Sequence, residues 1–153
     1  MTSIVVEEGN KTYDSRNNCN AIIKSETNEL VVGCKTTVIP NNVTRIGRSA
    51  FENCQGLTSI SLPAGLTEIG CDAFRNCSGL LSINIPNSVK KIEERAFFGC
   101  SSLNSIMIPK SVTLIEDWAF RNCTNLRLIQ IPHNTKLWQD VFYGCPDLKI
   151  IRK

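Results

Sequence analysis

The chain has 153 residues, of which 42% are hydrophobic, and this supports one soluble domain with a sizeable core. The formal net charge of +3 comes without a concentrated basic stripe, which argues against nucleic acid as a partner. No run of 18 apolar residues and no signal-peptide pattern occurs, so we expect no membrane insertion, although an excerpt of an exported protein would look the same.

The N-terminal part, residues 1–40, has the pattern of an irregular repeat unit. Two β-rich runs, 21–24 and 29–32, flank a short polar segment and predict an inserted β-hairpin near 21–32. This hairpin is expected to take the place of a helical turn and to project from, or pad, the convex side of the fold.

Residues 41–153 consist of regular 23-residue repeats. The positions that recur include a proline, a cysteine and a phenylalanine, together with isoleucine and leucine columns between them. The proline column consists of Pro40, Pro63, Pro86, Pro109 and Pro132. Internal periodicity of this kind is the signature of a repeat architecture.

The first half of each repeat predicts a β-strand. In one unit Leu57, Ile60 and Leu62 lie in a short extended segment that ends at Pro63. Proline cannot donate a hydrogen bond inside a sheet, so the strand ends there.

The second half of each repeat predicts an extended piece followed by one helical turn. In the same unit Leu66 and Ile69 are the apolar positions of the extended piece. Asp72 is placed to cap the helical turn, and Phe74 and Cys77 would share one of its faces.

One unit of 23 residues cannot bury its own apolar columns, but stacked units turn each column into a continuous ridge. We therefore predict an α/β solenoid forming a single domain over 1–153, with one parallel β-sheet, short extended segments and a single helical turn in each repeat. Neighbouring strands would lie about 4.8 Å apart. Seven parallel strands are expected, at 2–6, 36–39, 58–62, 81–85, 104–108, 127–131 and 149–152.

Three segments carry a family resemblance: 57–80, LTSISLPAGLTEIGCDAFRNCSGL; 111–126, SVTLIEDWAFRNCTNL; and the irregular 13–40. They resemble the BspA-like, Treponema pallidum-type leucine-rich repeats of Bacteroides-like bacteria. The resemblance implies a right-handed solenoid in an adhesin-like protein at the cell surface or secreted. It also implies a protein partner on a host or neighbouring cell.

The cysteine column is expected to hold buried free thiols. Its members are Cys54, Cys77, Cys100, Cys123 and Cys145. Equivalent side chains would lie roughly 4.8 Å apart, whereas disulfide Cβ atoms lie about 3.5–4.5 Å apart. Cys19 and Cys34 bracket the hairpin and are the one pair considered for a bridge, and Cys71, off the column, is expected to be exposed.

Nothing in the pattern indicates catalysis, a metal or a cofactor. The single histidine, His133, lies in a repeat turn without a cysteine or acid partner, and neither C-x-x-C zinc spacing nor a phosphate loop occurs. We predict that the chain is not an enzyme.

The C-terminal part of the predicted concave sheet is the candidate binding face. Alternation turns the third and fifth positions of each strand outward, and the repeat alignment places Ile150 beside Leu128 and Arg152 beside Gln130. The candidate protein-binding residues are Met107, Arg127, Leu128, Gln130, Lys149, Ile150 and Arg152. Apolar residues clustered with arginine are typical of binding hot spots. A covering repeat in a longer protein, or drift without selection, would give the same composition.

Protein recognition is therefore the favoured function, and two other readings stay open. One is an architectural spacer, and the other is an intracellular scaffold segment in a reducing compartment. Its terminal repeats carry no polar cap, so a longer parent protein or end-to-end self-association is also expected.

Overall fold

The computed structural model describes residues 3–153. Within this range the chain forms β-strands and one short 3-10 helix, Arg16–Asn18. The strands are β1 Tyr13–Asp14, β2 Ile22–Lys24, β3 Glu29–Val32, β4 Arg45–Ile46, β5 Glu68–Ile69, β6 Lys91–Ile92, β7 Ser105–Met107, β8 Leu114–Ile115, β9 Leu128–Ile131, β10 Lys136–Leu137 and β11 Lys149–Arg152.

The larger of two sheets contains eight strands in the order β1-β2-β3-β4-β5-β6-β8-β10. All pairs from β3 to β10 are parallel, and Ile46, Ile69 and Ile92 lie opposite one another in successive coils. This confirms a solenoid with a parallel sheet. These strands, however, come from the second extended piece of each repeat, where a buried isoleucine follows an outward side chain that can pair across the strands.

The smaller sheet contains three parallel strands in the order β11-β9-β7. Three of the seven strands predicted in this half of the repeat are thus confirmed, at 104–108, 127–131 and 149–152, but they form a separate sheet. Segments 36–39, 58–62 and 81–85 are not strands, nor are 3–6, the described part of the predicted strand 2–6. Serine and asparagine occupy the outward positions of 58–62 and 81–85 and lack the β-branched or aromatic side chains that favour strands, whereas the outward positions of the later coils include methionine, leucine and isoleucine.

The N-terminal segment forms an antiparallel extension of the larger sheet. Strands β2 and β3 pair as a hairpin, and β1 adds to β2. Strand β3 then runs parallel to β4, with Glu29 opposite Arg45. The predicted hairpin near 21–32 is therefore confirmed, but it continues the edge of the larger sheet, whereas the sequence suggested that it would project from, or pad, the convex side.

The predicted helical turns do not form. The backbone has a positive φ at both ends of the segment in each repeat, for example 56° at Asp72 and 55° at Asn76, and this interrupts a right-handed helix. The first such column consists of Ser49, Asp72, Arg95, Trp118 and Asp140. The second consists of Asn53, Asn76, Gly99, Asn122 and Gly144.

The turn segments are joined to one another by backbone hydrogen bonds. The amide of Phe74 donates to the carbonyl oxygen of Ala96 at 2.8 Å, and the amide of Asn76 donates to that of Phe98 at 2.7 Å. Equivalent bonds recur in the neighbouring coils. Asp72 is buried beneath this layer, with its carboxylate 3.7 Å from the guanidinium of Arg75, so it is not a helix cap.

The core is built from columns of identical side chains, as expected. Phe51, Phe74, Phe97 and Phe120 are buried, and their rings stack nearly parallel with centroids 5.1–5.3 Å apart. Phe142 continues the stack at 5.9 Å and is only half-buried. Burial of each such ring stabilises the fold by about 1.5–3 kcal/mol.

All cysteines of the chain are free thiols, as predicted for the column, but the predicted burial holds for three of its five members. Cys77, Cys100 and Cys123 are buried, whereas Cys54 and Cys145 are half-buried. The thiols from Cys77 to Cys145 each donate to a phenylalanine carbonyl of the preceding coil at 3.1–3.2 Å. Burial raises the pKa of Cys77 to about 12.

The remaining three thiols differ in their surroundings. Cys19 and Cys34 are buried and not bridged to each other. Cys71, expected to be exposed, is half-buried, and its thiol donates to the Asp72 carboxylate at 3.3 Å. Burial, followed by the contact with Asp72, raises the pKa of Cys71 to about 11.

Candidate protein-binding face

The outward face of the smaller sheet follows from strand alternation. Ile106 and Ile129 point into the core, while Met107 is 63% exposed beside the half-buried Leu128 and Gln130. Met107 thus presents an apolar side chain to solvent on the outward face of this sheet.

The predicted alignment of the last two strands is wrong by one residue. Ser105 lies opposite Leu128, but Leu128 lies opposite Lys149 and Ile129 opposite Ile150. Arg152 accordingly faces Ile131 instead of Gln130. The last repeat is a residue shorter than the others, and a slip of one residue along a strand exchanges its faces. Ile150, 45% exposed, and Arg152 therefore lie on the core side of β11, opposite the buried Ile129 and Ile131, and Lys149 and Ile151 take the outward positions.

Two depressions of about 320 Å³ each lie on either side of Met107 and Gln130. The first has a polar rim and is completed by Ser82, Ile83, Asn84, Ser105, Ile106 and Leu128. The second is lined by the proline column and by two lysines, and is completed by Asn87, Ile108, Pro109, Lys110, Ile131, Pro132 and Lys153.

The basic candidates are held to different degrees by the chain itself. The Arg152 guanidinium donates to the carbonyl oxygens of Pro132 and Thr135, both at 3.0 Å, so it is fixed in place. Arg127 donates to the carbonyl oxygen of Thr124 and lies 3.5 Å from the exposed Asp147. Lys149 is exposed and makes no ion pair with the described residues.

The candidate residues left out two exposed apolar side chains at the same column position. Val5 and Val38 are 78% and 72% exposed. Val38 directly precedes Ile39-Pro40, just as Met107 precedes Ile108-Pro109. The proline column alone would have placed Val38 at the fifth position and identified it as outward.

The outward side of the larger sheet is closed by its own ion pairs. Arg45 contacts Glu68 and lies 3.3 Å from Glu93, while Lys91 lies 2.8 Å from Glu116. The hydrogen bond to Glu116 raises the pKa of Lys91, and burial raises that of Glu68. Charges on this side therefore compensate one another between coils.

The turn side is likewise occupied by internal contacts. Arg75 lies over the Phe98 ring at 5.5 Å and Arg95 over Trp118 at 5.2 Å. Arg121 lies 4.5 Å from the ring centre of the exposed Tyr143. Such cation–π contacts each contribute roughly 0.5–1 kcal/mol at exposed sites.

No group of three His, Cys, Asp or Glu side chains within residues 3–153 is placed to hold a metal ion. His133 is exposed, and its backbone amide donates to the carbonyl oxygen of Lys153 at 2.8 Å. In the same range no helix has the length and apolarity needed to cross a membrane.

Comparison with known proteins matches residues 21–149 to the model of the BspA type leucine rich repeat region, in six copies. No curated protein gives a significant match. A leucine rich cell surface protein from Faecalibacterium prausnitzii is similar in structure, with 32% identity, a TM-score of 0.84 and coverage of 93% of this chain and 39% of that one.

Two further structures show the same fold. A leucine-rich repeat protein from Bacteroides ovatus is 31% identical with a TM-score of 0.74, covering 98% of this chain and 41% of that one. The T. pallidum leucine rich repeat protein is 26% identical with a TM-score of 0.74, covering 84% and 65%. The chain thus spans between 39% and 65% of the length of these three structures.

Proposed function

The chain belongs to the BspA-type leucine-rich repeat family, and from this premise we propose that it is a non-enzymatic protein-recognition module of a bacterial cell-surface protein. Its partner is a protein on a host or neighbouring cell, as expected of an adhesin. The binding site consists of Met107, Arg127, Leu128, Gln130, Lys149, Ile150 and Arg152, here called the recognition face.

One contrast carries this proposal. The outward charges of β4, β5 and β6 form ion pairs, as Lys91 does with Glu116, whereas the recognition face presents the exposed Met107 and also Lys149, which makes no ion pair with the described residues. Exposed apolar side chains next to basic ones match the composition of protein interfaces. An extended sheet surface built from stacked repeats is also the part that solenoid proteins use for binding.

A surface location is supported by similarity alone. The F. prausnitzii relative is described as a cell surface protein, and it shares 32% identity with this chain. The partner and the surface location therefore belong to the proposal and are tested together with it.

The test is binding of the purified chain to immobilised extracellular-matrix proteins and to surface proteins of neighbouring bacteria, measured by biolayer interferometry. The variant Met107→Asp is expected to lose at least about tenfold in affinity, since this side chain would be buried on binding. The matched control is Trp138→Asp, which changes a similarly exposed apolar residue outside the smaller sheet. Absence of binding, or equal losses in both variants, would refute the proposal.

The free thiols favour a second candidate, an intracellular scaffold. Disulfides are typical of exported proteins, and all eight cysteines of this chain are reduced. A spacer role is the third candidate, favoured by the continuous hydrogen bonding between coils. Deleting a 23-residue repeat that carries part of the recognition face without loss of partner affinity would favour the spacer, and cellular fractionation separates the surface from the interior.

A further inference from the structure

The second depression beside Met107 has an apolar floor and a basic rim. Ile108, Pro109, Ile131 and Pro132 are buried and form its floor, and prolines offer no amide hydrogen to a ligand. A cavity of about 150 Å³ lined by apolar residues suffices for benzene. At about 320 Å³, this depression has room for a large apolar side chain.

Basic residues surround this depression and its neighbour with little compensation. The exposed Lys110 and Lys153 line it, and neither makes an ion pair with the described residues. Lys149, in β11, lies opposite Leu128 of β9, which lines the first depression. The one acid paired with this group is Asp147, whose side chain is 69% exposed and lies 3.5 Å from Arg127.

The first depression adds a polar stretch to the same path. Ser82, Asn84 and Ser105 offer hydroxyl and amide groups along its rim, on the side of Met107 away from the lysines. Such groups are suited to hydrogen bonds with the backbone of an extended peptide. A ligand that crosses Met107 would meet hydrogen-bonding groups first, then an apolar floor flanked by positive charge.

We propose that the recognition face binds an extended, acidic segment of its protein partner. One apolar side chain of this segment lies between Pro109 and Pro132, and neighbouring carboxylates pair with Lys110 and Lys149. This inference rests on the proposed function and adds to it the chemical class of the partner. A nucleic acid or another polyanion fits less well, because the apolar floor would be left without a matching group.

The experiment is selection of random twelve-residue peptides displayed on phage against the purified chain. Peptides that combine Asp or Glu with a Leu, Ile or Phe are expected to be enriched. One enriched peptide, synthesised with a fluorescent label, is then measured by anisotropy. The double variant Lys110→Glu and Lys149→Glu is expected to weaken its binding at least about tenfold, because two attractive charges become repulsive.

The matched control is Lys90→Glu with Lys136→Glu, which makes the same charge change at exposed positions in or beside the larger sheet. Binding should change less than about twofold there, and raising the NaCl concentration from 50 to 500 mM should weaken wild-type binding. The selection could instead enrich neutral or basic peptides whose binding is lost in the Met107→Asp variant. That result would overturn the proposal of an acidic partner but leave the recognition function standing. Failure to enrich any peptide, or binding that both double variants weaken equally, would overturn both.

Discussion

The two sheets arise from the same repeats, yet the coils pair far more completely in one than in the other. In the larger sheet five successive coils contribute parallel strands from β4 to β10, and outward side chains such as Arg45 and Glu68 contact each other across them. In the smaller sheet three coils contribute the strands β7, β9 and β11, and their outward side chains include the exposed Met107 and Lys149.

This difference indicates a division of tasks between the two faces. Where outward residues pair across coils, as on the larger sheet, a substitution weakens the array itself. Where they do not, outward positions are free to vary. In this half of the repeat they change from serine and asparagine in 58–62 and 81–85 to include apolar and basic residues in the strands of the smaller sheet. A solenoid can therefore keep one side for stability and leave the other for recognition.

The largest effect is expected in the phenylalanine stack that joins the coils. Phe97→Ala should lower the free energy of unfolding by about 3–5 kcal/mol, because it opens a cavity between two stacked rings. Phe142→Ala should cost less, about 1–2 kcal/mol, since this ring is half-buried. Urea denaturation followed by circular dichroism measures both.

Met107→Ala is the comparison from the other face. Its side chain is 63% exposed, so the change in unfolding free energy should stay within about 0.5 kcal/mol. A loss for Met107→Ala as large as that for Phe97→Ala would contradict the division between the faces.

The repeat columns made most of the fold predictable. Residues such as Phe74 and Cys77 recur at one spacing, and only stacking of the repeats buries them all. The solenoid and its core could therefore be predicted from this spacing. The assignment of the main strand failed because both halves of the repeat contain extended apolar segments. What distinguishes them is pairing across coils, as between Arg45 and Glu68, which a single repeat does not reveal.

The prediction of helical turns was wrong, and the sequence itself contained the reason. The residue before each column cysteine is asparagine or glycine, the types that most readily adopt a positive φ. The register of β11 was harder to predict from the sequence, because the shortened last repeat allows more than one alignment. The outward direction of Met107 needed only strand alternation.

Alkaline pH should lower the free energy of unfolding through the buried thiols of the cysteine column. The folded pKa of Cys77 is raised by burial to about 12, above its value near 9 in the unfolded chain. The proton is thus held more tightly in the folded state, so stability is complete below pH 9 and falls between pH 9 and 12. The slope is about 1.4 kcal/mol per pH unit for each such thiol.

Cys77→Ala is therefore expected to flatten the loss of stability measured by urea denaturation from pH 8.5 to 10.5. Cys34→Ala is the control. Burial acts to raise the pKa of Cys34, but hydrogen bonds with Thr36 and Thr37 outweigh it and the pKa is lowered. This variant should not flatten the profile, and equal flattening by both variants would disprove the assignment to Cys77.

A smaller effect is expected where the turns require a positive φ. Asn76 has a φ of 55°, and its side-chain amide donates to the Asn53 side chain at 3.0 Å. Asn76→Ala should cost about 1–2 kcal/mol of unfolding free energy, because alanine is strained in this region. Asn76→Gly, which relieves the strain and loses the same hydrogen bond, should cost less. The reverse order in thermal denaturation would contradict this view of the turns.

The smallest effect is expected from substitutions that extend the smaller sheet towards the N-terminus. Such an extension would reduce the contrast between the two sheets. Segments 58–62 and 81–85 already share one bond, from the amide of Leu81 to the carbonyl oxygen of Thr58 at 3.0 Å. Replacing the exposed Ser59 and Ser82 by valine should favour pairing and stabilise the chain by about 0.5–1 kcal/mol. Hydrogen exchange should slow across 58–62 and 81–85 but remain unchanged in the control Thr44→Val, which lies beside the already paired β4. Unchanged exchange in the double variant would mean that the spacing of these coils, and not the β-propensity of their outward residues, prevents the strands from forming.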